Sequence, residues 1–450
     1  MERKRYVQVG TGGRSGMYTR AILKEFRDSA LLVGLCDSNP GRLSRAAAQA
    51  AEMGAPDIPC YTAADFDRMI EEQKPDCVVV TSMDSTHDYY IVRAMELGCD
   101  AITEKPMTID ERRCARILEA KRATGRRCTV TFNYRYSPPR TQIKHLLMSG
   151  VIGEIVSVDF HWLLDTHHGA DYFRRWHRNK RNSGGLMVHK ATHHFDLVNW
   201  WLSAVPTAVF ARGSREFYKP ETARRYGLTQ RGERCHGCAE SARCPFHLDI
   251  TRGGLREMYF DCEQHDGYFR DRCVFSSLID IEDVMHLAVK YDTGATMSYS
   301  LHAFSPWEGY IITFQGTRGR IEHKCEESVY INGDGSVPCA LKKEGTWTRI
   351  YPHFDAAYSE EIWTGEGGHG GGDTLLLQDI FAPNPPEDPY KRAADERSGA
   401  FSILTGIAAN RSMEWGRDVF VSELVPNIDR PDYAPMPDRW SDLPIPPVKK

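Results

Sequence analysis

At 450 residues the chain is too long for one average domain and suits two or three. Apolar residues make up 41% and charged residues 26%, ordinary values for a globular protein, and no apolar stretch of ~18 residues suggests a membrane span. The formal net charge is only −4, so neither nucleic acid nor an anionic membrane is an expected partner.

The first residues, MERKRYVQVG, pass from charges straight into a short apolar strand, with no apolar core of an export signal. A cytoplasmic protein is therefore expected. RYVQVGTGGRSGMYTRAILKEF reads as strand, glycine turn and helix, and ALLVGLCDSN as a second strand ending at Asp37. A buried strand at Val78–Val80 and the strand DAIT follow, each leading into a helix, and then the strand RCTVTF. Short apolar runs separated by amphipathic helices indicate a parallel sheet covered on both faces.

The turn Gly10-Thr-Gly12-Gly13-Arg14-Ser15 is G-x-G-x-x-S. Its glycines let a pyrophosphate approach the backbone, and Asp37 about 25 residues on is placed to accept a ribose diol. A carboxylate there repels a 2′-phosphate, so NAD is expected over NADP, a preference softened by the positive charges of Arg14 and Arg42. Ser38, the loop residues Thr81, Ser82 and His87, and Glu104 and Lys105 complete the expected cofactor lining. Lys105 ends a sheet strand, where a lysine faces the ligand crevice and can share in proton transfer.

Further along, Asn133, Tyr134 and Arg135 close the last of these strands. Residues 161–185 are rich in Trp, His, Arg and Asp, suited to a polyol or to a charged surface loop. GGLMVHKATHHFDLVNWW then puts His189, Lys190, His193 and His194 at the head of an apolar helix. On one continuous helix His189, His193 and Asp196 share a face, with Lys190 and His194 on its flank. An acid/base site fits this set. A zinc site on His189 and His193 with Asp196 or His369 also fits the spacing, but Lys190 opposes a cation.

Residues 212–275 form an insert with little aliphatic periodicity. Cys235, Cys238 and Cys244 have metal-like spacing, with Cys262, Cys273, His236 or His247 as the fourth ligand of a structural zinc. An iron–sulfur cluster, free thiols or a disulfide are the other readings. VMHLAVKYDTGATMSYSLHAF alternates around Asp292-Thr-Gly294, a hairpin signal. Gly368–Asp373 opens a late helix, with Asp373 as a candidate cap and His369 as a candidate substrate contact. The proline-rich end, PMPDRWSDLPIPPVKK, is expected to run extended.

Taken together, VGTGGRS, LCDSN, VVVTSMDSTH, EKP, FNYRYSP, GVIGEI, SGGLMVHKATHHFDL, FQGTRGRIE and GHGGGD, in this order, resemble the glucose–fructose oxidoreductase/inositol dehydrogenase (Gfo/Idh/MocA) family. The resemblance implies an NAD-binding Rossmann domain over 1–130. It implies a substrate-binding and oligomerisation α/β domain over 131–450, with an open, mostly antiparallel sheet and assembly as a homodimer or homotetramer. It implies oxidation or reduction of a secondary alcohol of a sugar, glycoside or cyclitol. Lys105 and His193 would act in proton transfer, and Asn133, Arg135, Lys190, His194 and His369 would contact substrate. His189 stands where the family usually has aspartate, which puts the ordinary proton relay in doubt. The alternative implied is a glycosidase that recycles tightly held NAD through oxidation, elimination, hydration and reduction.

Overall fold

The computed structural model describes residues 3–328, 340–438, 442, 443 and 445. Strands β1 (Lys4–Val9), β2 (Ala30–Asp37), β3 (Cys60–Thr62), β4 (Cys77–Val80), β5 (Asp100–Thr103) and β6 (Cys128–Val130) form one parallel sheet. Its order is β3-β2-β1-β4-β5-β6. Helices α1 (Ser15–Arg20), α2 (Pro40–Glu52), α3 (Phe66–Gln73), α4 (His87–Glu96) and α5 (Glu111–Thr124) connect the strands. Helices on both faces explain why β4 reads CVVV with every residue buried. Local signals fix the helix ends. Asn39 accepts from the Arg42 amide ahead of Pro40 to start α2, and Asp110 caps α5, which Gly125 ends in the left-handed region. Strand order reverses between β1 and β4, which opens the ligand crevice at the carboxyl ends of these strands.

Helix α6 (Pro138–Met148) leads into a second sheet of nine strands. These are β7 (Ile155–Asp165), β8 (Pro206–Ser214), β9 (Val284–Tyr291), β10 (Thr296–Ser305), β11 (Glu308–Gly316), β12 (Gly319–Glu327), β13 (Trp347–Pro352), β14 (Tyr358–Glu360) and β15 (Val419–Phe420). They lie in the order β14-β13-β12-β11-β7-β10-β9-β8-β15, antiparallel throughout except for β7 beside β10. β9 and β10 are the hairpin read from the sequence. Burial alternates along β9, as expected of a sheet with one packed and one solvated face.

Between β7 and β8 run α7 (Thr166–Arg174), α8 (Lys180–Ser183), α9 (Leu186–His189) and α10 (Thr192–Leu202). Between β8 and β9 lies the insert, with the short helices α11 (Pro220–Arg225), α12 (Gly253–Met258) and α13 (Glu263–Asp266), a 3-10 turn at Phe260–Cys262 and one bridge between Arg234 and Arg272. The chain closes with α14 (Gly372–Phe381), α15 (Glu396–Trp415) and α16 (Val421–Leu424). Of the proline-rich end, residues 435–438 belong to no helix or strand and most of the remainder lies outside the described residues.

Two of the late helices also pack on the first domain. Phe381 of α14 packs edge-on against Tyr6 of β1, with Leu377 in the same cluster. Phe401, Ile403, Leu404 and Ile407 of α15 share a core with Cys114, Ile117 and Val130. The Val130 amide donates to the Ala394 carbonyl at 3.0 Å. Among the described residues no helix is long and apolar enough to cross a membrane.

Candidate active site

The glycine turn sits where β1 meets α1. Gly10 has φ +88°, and a Cβ there would lie 2.5 Å from backbone atoms of Thr81 and Ser82, so this position requires glycine. Gly12 is different: a Cβ would meet nothing within 4 Å, leaving the open approach that a pyrophosphate needs beside the start of α1. Asp37 accepts from the Thr11 amide at 2.6 Å and hydroxyl at 2.8 Å, and from the Asn39 amide at 2.7 Å, which fixes its carboxylate at the end of β2. Thr81 donates to the Gly10 carbonyl at 2.7 Å. His87 braces the loop from inside, one ring nitrogen 2.9 Å from the Pro106 carbonyl and the other 3.1 Å from that of Ser82. These residues fit a dinucleotide.

Arg14 does not stay at the ribose end. Its guanidinium meets Glu104 at 2.7 Å and Asp373 at 3.0 Å, and Glu104 also accepts from Tyr18 at 2.8 Å. Asp373 in turn accepts from Asn133 at 2.7 Å and pairs with His369 at 2.9 Å. Asp373 is thus a hub joining the glycine turn, the short turn that follows β6 and the late glycine loop. The cap of α14 is Gly371 instead. Arg14 and His369 together hold the Asp373 carboxyl well below its ordinary range, against the opposing effect of burial.

The histidine stretch is two helices, not one. The Ala191 amide reaches back five residues to Leu186, and those of His193 and His194 bond only three back, to Lys190 and Ala191. This wide-then-tight turn breaks the face expected to carry His189, His193 and Asp196. Asp196 instead pairs with Arg135 at 2.5 Å, both about 1% exposed, and Arg135 also faces the carbonyls of Arg392 and Ala393. Arg135 is therefore placed inside a buried ion pair. His194 is fully buried, stacked on Trp162 at 3.8 Å and bonded to the Tyr299 hydroxyl at 2.6 Å. Lys190 lies over the same Trp162 ring and donates to the Tyr134 hydroxyl at 3.3 Å.

His193 stacks on Tyr134 with centroids 4.2 Å apart, and its Nδ1 is buried without a hydrogen-bond partner. Burial, then the charges of Lys105 and Lys190, hold it well below the ordinary imidazole range, so it is a neutral acceptor at neutral pH. Burial lowers Lys105 to about 8, against the raising effect of Asp84 and Glu104. Its ammonium donates to the His189 carbonyl at 3.4 Å.

His189 Nδ1 lies 2.5 Å from Asp84, a residue the sequence reading passed over. Burial pushes Asp84 up and His189 down, so both groups are driven towards their neutral forms. The carboxylate absent at position 189 is thereby supplied from the loop after β4. Its only sequence signal was its place in TSMDSTH, at the carboxyl end of a strand. Also unforeseen were Tyr172 and His177, whose rings lie 5.5 Å and 4.2 Å from His189, and His168, which bridges Glu308 and Tyr172. They come from the segment that also reads as a charged surface loop, yet α7 is almost wholly buried.

In the insert, Cys235, Cys238 and Cys244 line one small cavity of about 20 Å³ together with Cys273 and His247. Cys262 is elsewhere, against Asn39 and Gly41, and His236 packs on Phe260. The described cysteines are free thiols. Among the described residues no group of three or more His, Cys, Asp or Glu is arranged to hold a metal ion.

Comparison with known proteins agrees with this geometry. Residues 4–132 match the description "Oxidoreductase family, NAD-binding Rossmann fold", and residues 144–421 match "Oxidoreductase family, C-terminal alpha/beta domain". The protein YteT of Bacillus subtilis (strain 168) is 36% identical over 430 residues, covering 94% of this chain and 98% of that one. An alpha-N-acetylgalactosaminidase of Tannerella forsythia is 23% identical over 435 residues, 90% of this chain and 82% of its own. The WlbA dehydrogenase from Bordetella pertussis, solved with NADH and UDP-GlcNAcA, shares the fold with a TM-score of 0.62 at 18% identity, over 93% of this chain and 99% of that one. With both halves matched in order, the chain belongs to the Gfo/Idh/MocA family of NAD-binding oxidoreductases.

Proposed function

We propose that the chain is an NAD-dependent dehydrogenase or reductase acting on a secondary alcohol of a sugar, glycoside or cyclitol. The observation that carries this reading is His193: a neutral, buried imidazole with an unpartnered Nδ1, beside a lysine lowered to about 8. His193 accepts the hydroxyl proton, and the Lys105 ammonium stabilises the alkoxide that develops. The nicotinamide of a bound dinucleotide supplies the hydride acceptor. Tyr134 would offer the substrate an aromatic face, and Lys190, Asn133 and His369 polar groups around it.

The two groups set opposite limbs of the pH profile. His193 must be unprotonated and Lys105 protonated. kcat/KM is expected to rise below pH 6.5 and to fall through about pH 8. His193→Ala is expected to lose ~10²–10³-fold in kcat/KM and with it the acid limb. A variant that keeps both would remove His193 from the reaction.

The match to a glycosidase over most of the chain favours a second reading, in which the cofactor is recycled during glycoside cleavage. Stoichiometric NADH release on substrate supports the first reading. Glycoside cleavage without net NADH supports the second.

The proposal extends to the insert, where Cys235, Cys238, Cys244 and Cys273 would close around a structural zinc. Metal analysis is expected to find one zinc per chain, lost in Cys273→Ser and kept in Cys262→Ser. Zinc-free protein with a protease-resistant insert would end this part of the proposal.

A further inference from the structure

We propose that the insert forms the outer wall of the adenosine end of the dinucleotide groove, and that its Asp266 helps select an unphosphorylated ribose.

The fold fixes where that end lies. A pyrophosphate belongs at the glycine turn and a ribose diol at Asp37, so the neighbouring lip is residues 38–45, the start of α2. The insert is fastened along this lip. Asn39 donates to the Cys262 carbonyl at 3.0 Å, Arg42 forms an ion pair with Asp266, and Arg45 meets Glu257 at 3.5 Å. The approach at Gly41 is so close that a Cβ there would lie 2.8 Å from the Cys262 sulfur. The insert also reaches the other lip: a Cβ on Gly13 would have the Tyr259 hydroxyl at 3.6 Å and the Met258 sulfur at 3.9 Å.

The strap is anchored behind as well. Arg234 holds Glu263 at 2.6 Å and Asp271 at 2.7 Å, and Arg270 holds Asp171 of α7 at 2.6 Å. One segment of the second domain thus spans the groove from α2 to the glycine turn, tied at its far end to the helix that carries Tyr172.

Two consequences follow. A dinucleotide seated in the groove leaves only when the strap lifts, so exchange is slow. The charge at the ribose is also set from the insert. Arg42, the cation nearest Asp37 at 4.0 Å, is already shared with Asp266. A 2′-phosphate would meet two carboxylates and one committed guanidinium.

The test uses the full chain and the cofactors alone, with no sugar, so its outcome is independent of the substrate proposed above. Kd values for NAD and NADP are measured by calorimetry, and NADH dissociation by a fluorescence chase. Asp266→Asn is expected to lower the NADP-to-NAD ratio of Kd values by about tenfold, ~1.4 kcal/mol. Asp266→Glu, which keeps the charge, is expected to hold the ratio. Tyr259→Ala, and Glu257→Gln combined with Asp266→Asn, are each expected to speed NADH dissociation by about tenfold with the melting temperature unchanged. Wild-type ratios and off-rates in these variants, while Asp37→Ala shifts the ratio, would overturn the proposal.

Discussion

Lys105→Met is expected to lower kcat/KM by ~10²–10⁴-fold without lowering stability. The loss follows from removing the cation that meets the developing alkoxide. The gain follows from where that cation sits. Its folded value of about 8 lies below the ordinary 10.5, so between these pH values the unfolded chain holds a proton that the folded chain has released. Stability therefore rises with pH across that window, and below pH 8 the buried charge costs at most about 3 kcal/mol. Partial access of solvent to the ammonium reduces that figure. Denaturant melts at several pH values check this: the variant should be the more stable protein at pH 7, with the gap closing towards pH 10.5. A variant that melts well below wild type would make Lys105 a structural tie through the His189 carbonyl. One that retains activity within tenfold would remove it from the chemistry.

Arg135→Met is expected to destabilise the protein by ~3–5 kcal/mol, because it leaves Asp196 buried without its partner. Even beside the guanidinium, burial raises Asp196 to about 6. Arg135→Met combined with Asp196→Leu should recover most of the loss, since an apolar pair has no desolvated charge to satisfy. The resemblance to the family implies instead that Arg135 binds substrate, and the two roles separate cleanly. A structural role moves the denaturation midpoint and leaves KM of the folded fraction unchanged. A substrate role raises KM in a protein of wild-type stability.

Where periodicity was strict, the fold was legible in the sequence. Continuous apolar runs such as CVVV, a glycine turn after the first and Asp37 after the second specify a parallel sheet and its crevice. The alternation through residues 284–305 specifies a hairpin. The histidines resisted because neither glycine nor proline marks the break at Lys190–Ala191, so an ideal helical projection placed Asp196 beside His193 when it turns to Arg135. Asp84 resisted for another reason. Its partner His189 lies 105 residues away, and no local pattern carries a contact made between domains. The hub at Asp373 is likewise a meeting of Arg14, Asn133 and His369, far apart along the chain.

The sharing of a core between β6 and α15 bears on how the protein is made. Val130 and Ile117 leave the ribosome with an apolar face whose cover, Phe401 to Ile407, has yet to be translated. The delay is roughly 270 residues, on the order of 15–50 s at ~5–20 residues per second. Through that interval the nascent Rossmann half has a gap in its hydrophobic shell. Emergence of α15 is then the event that seals the cofactor-binding half of the molecule.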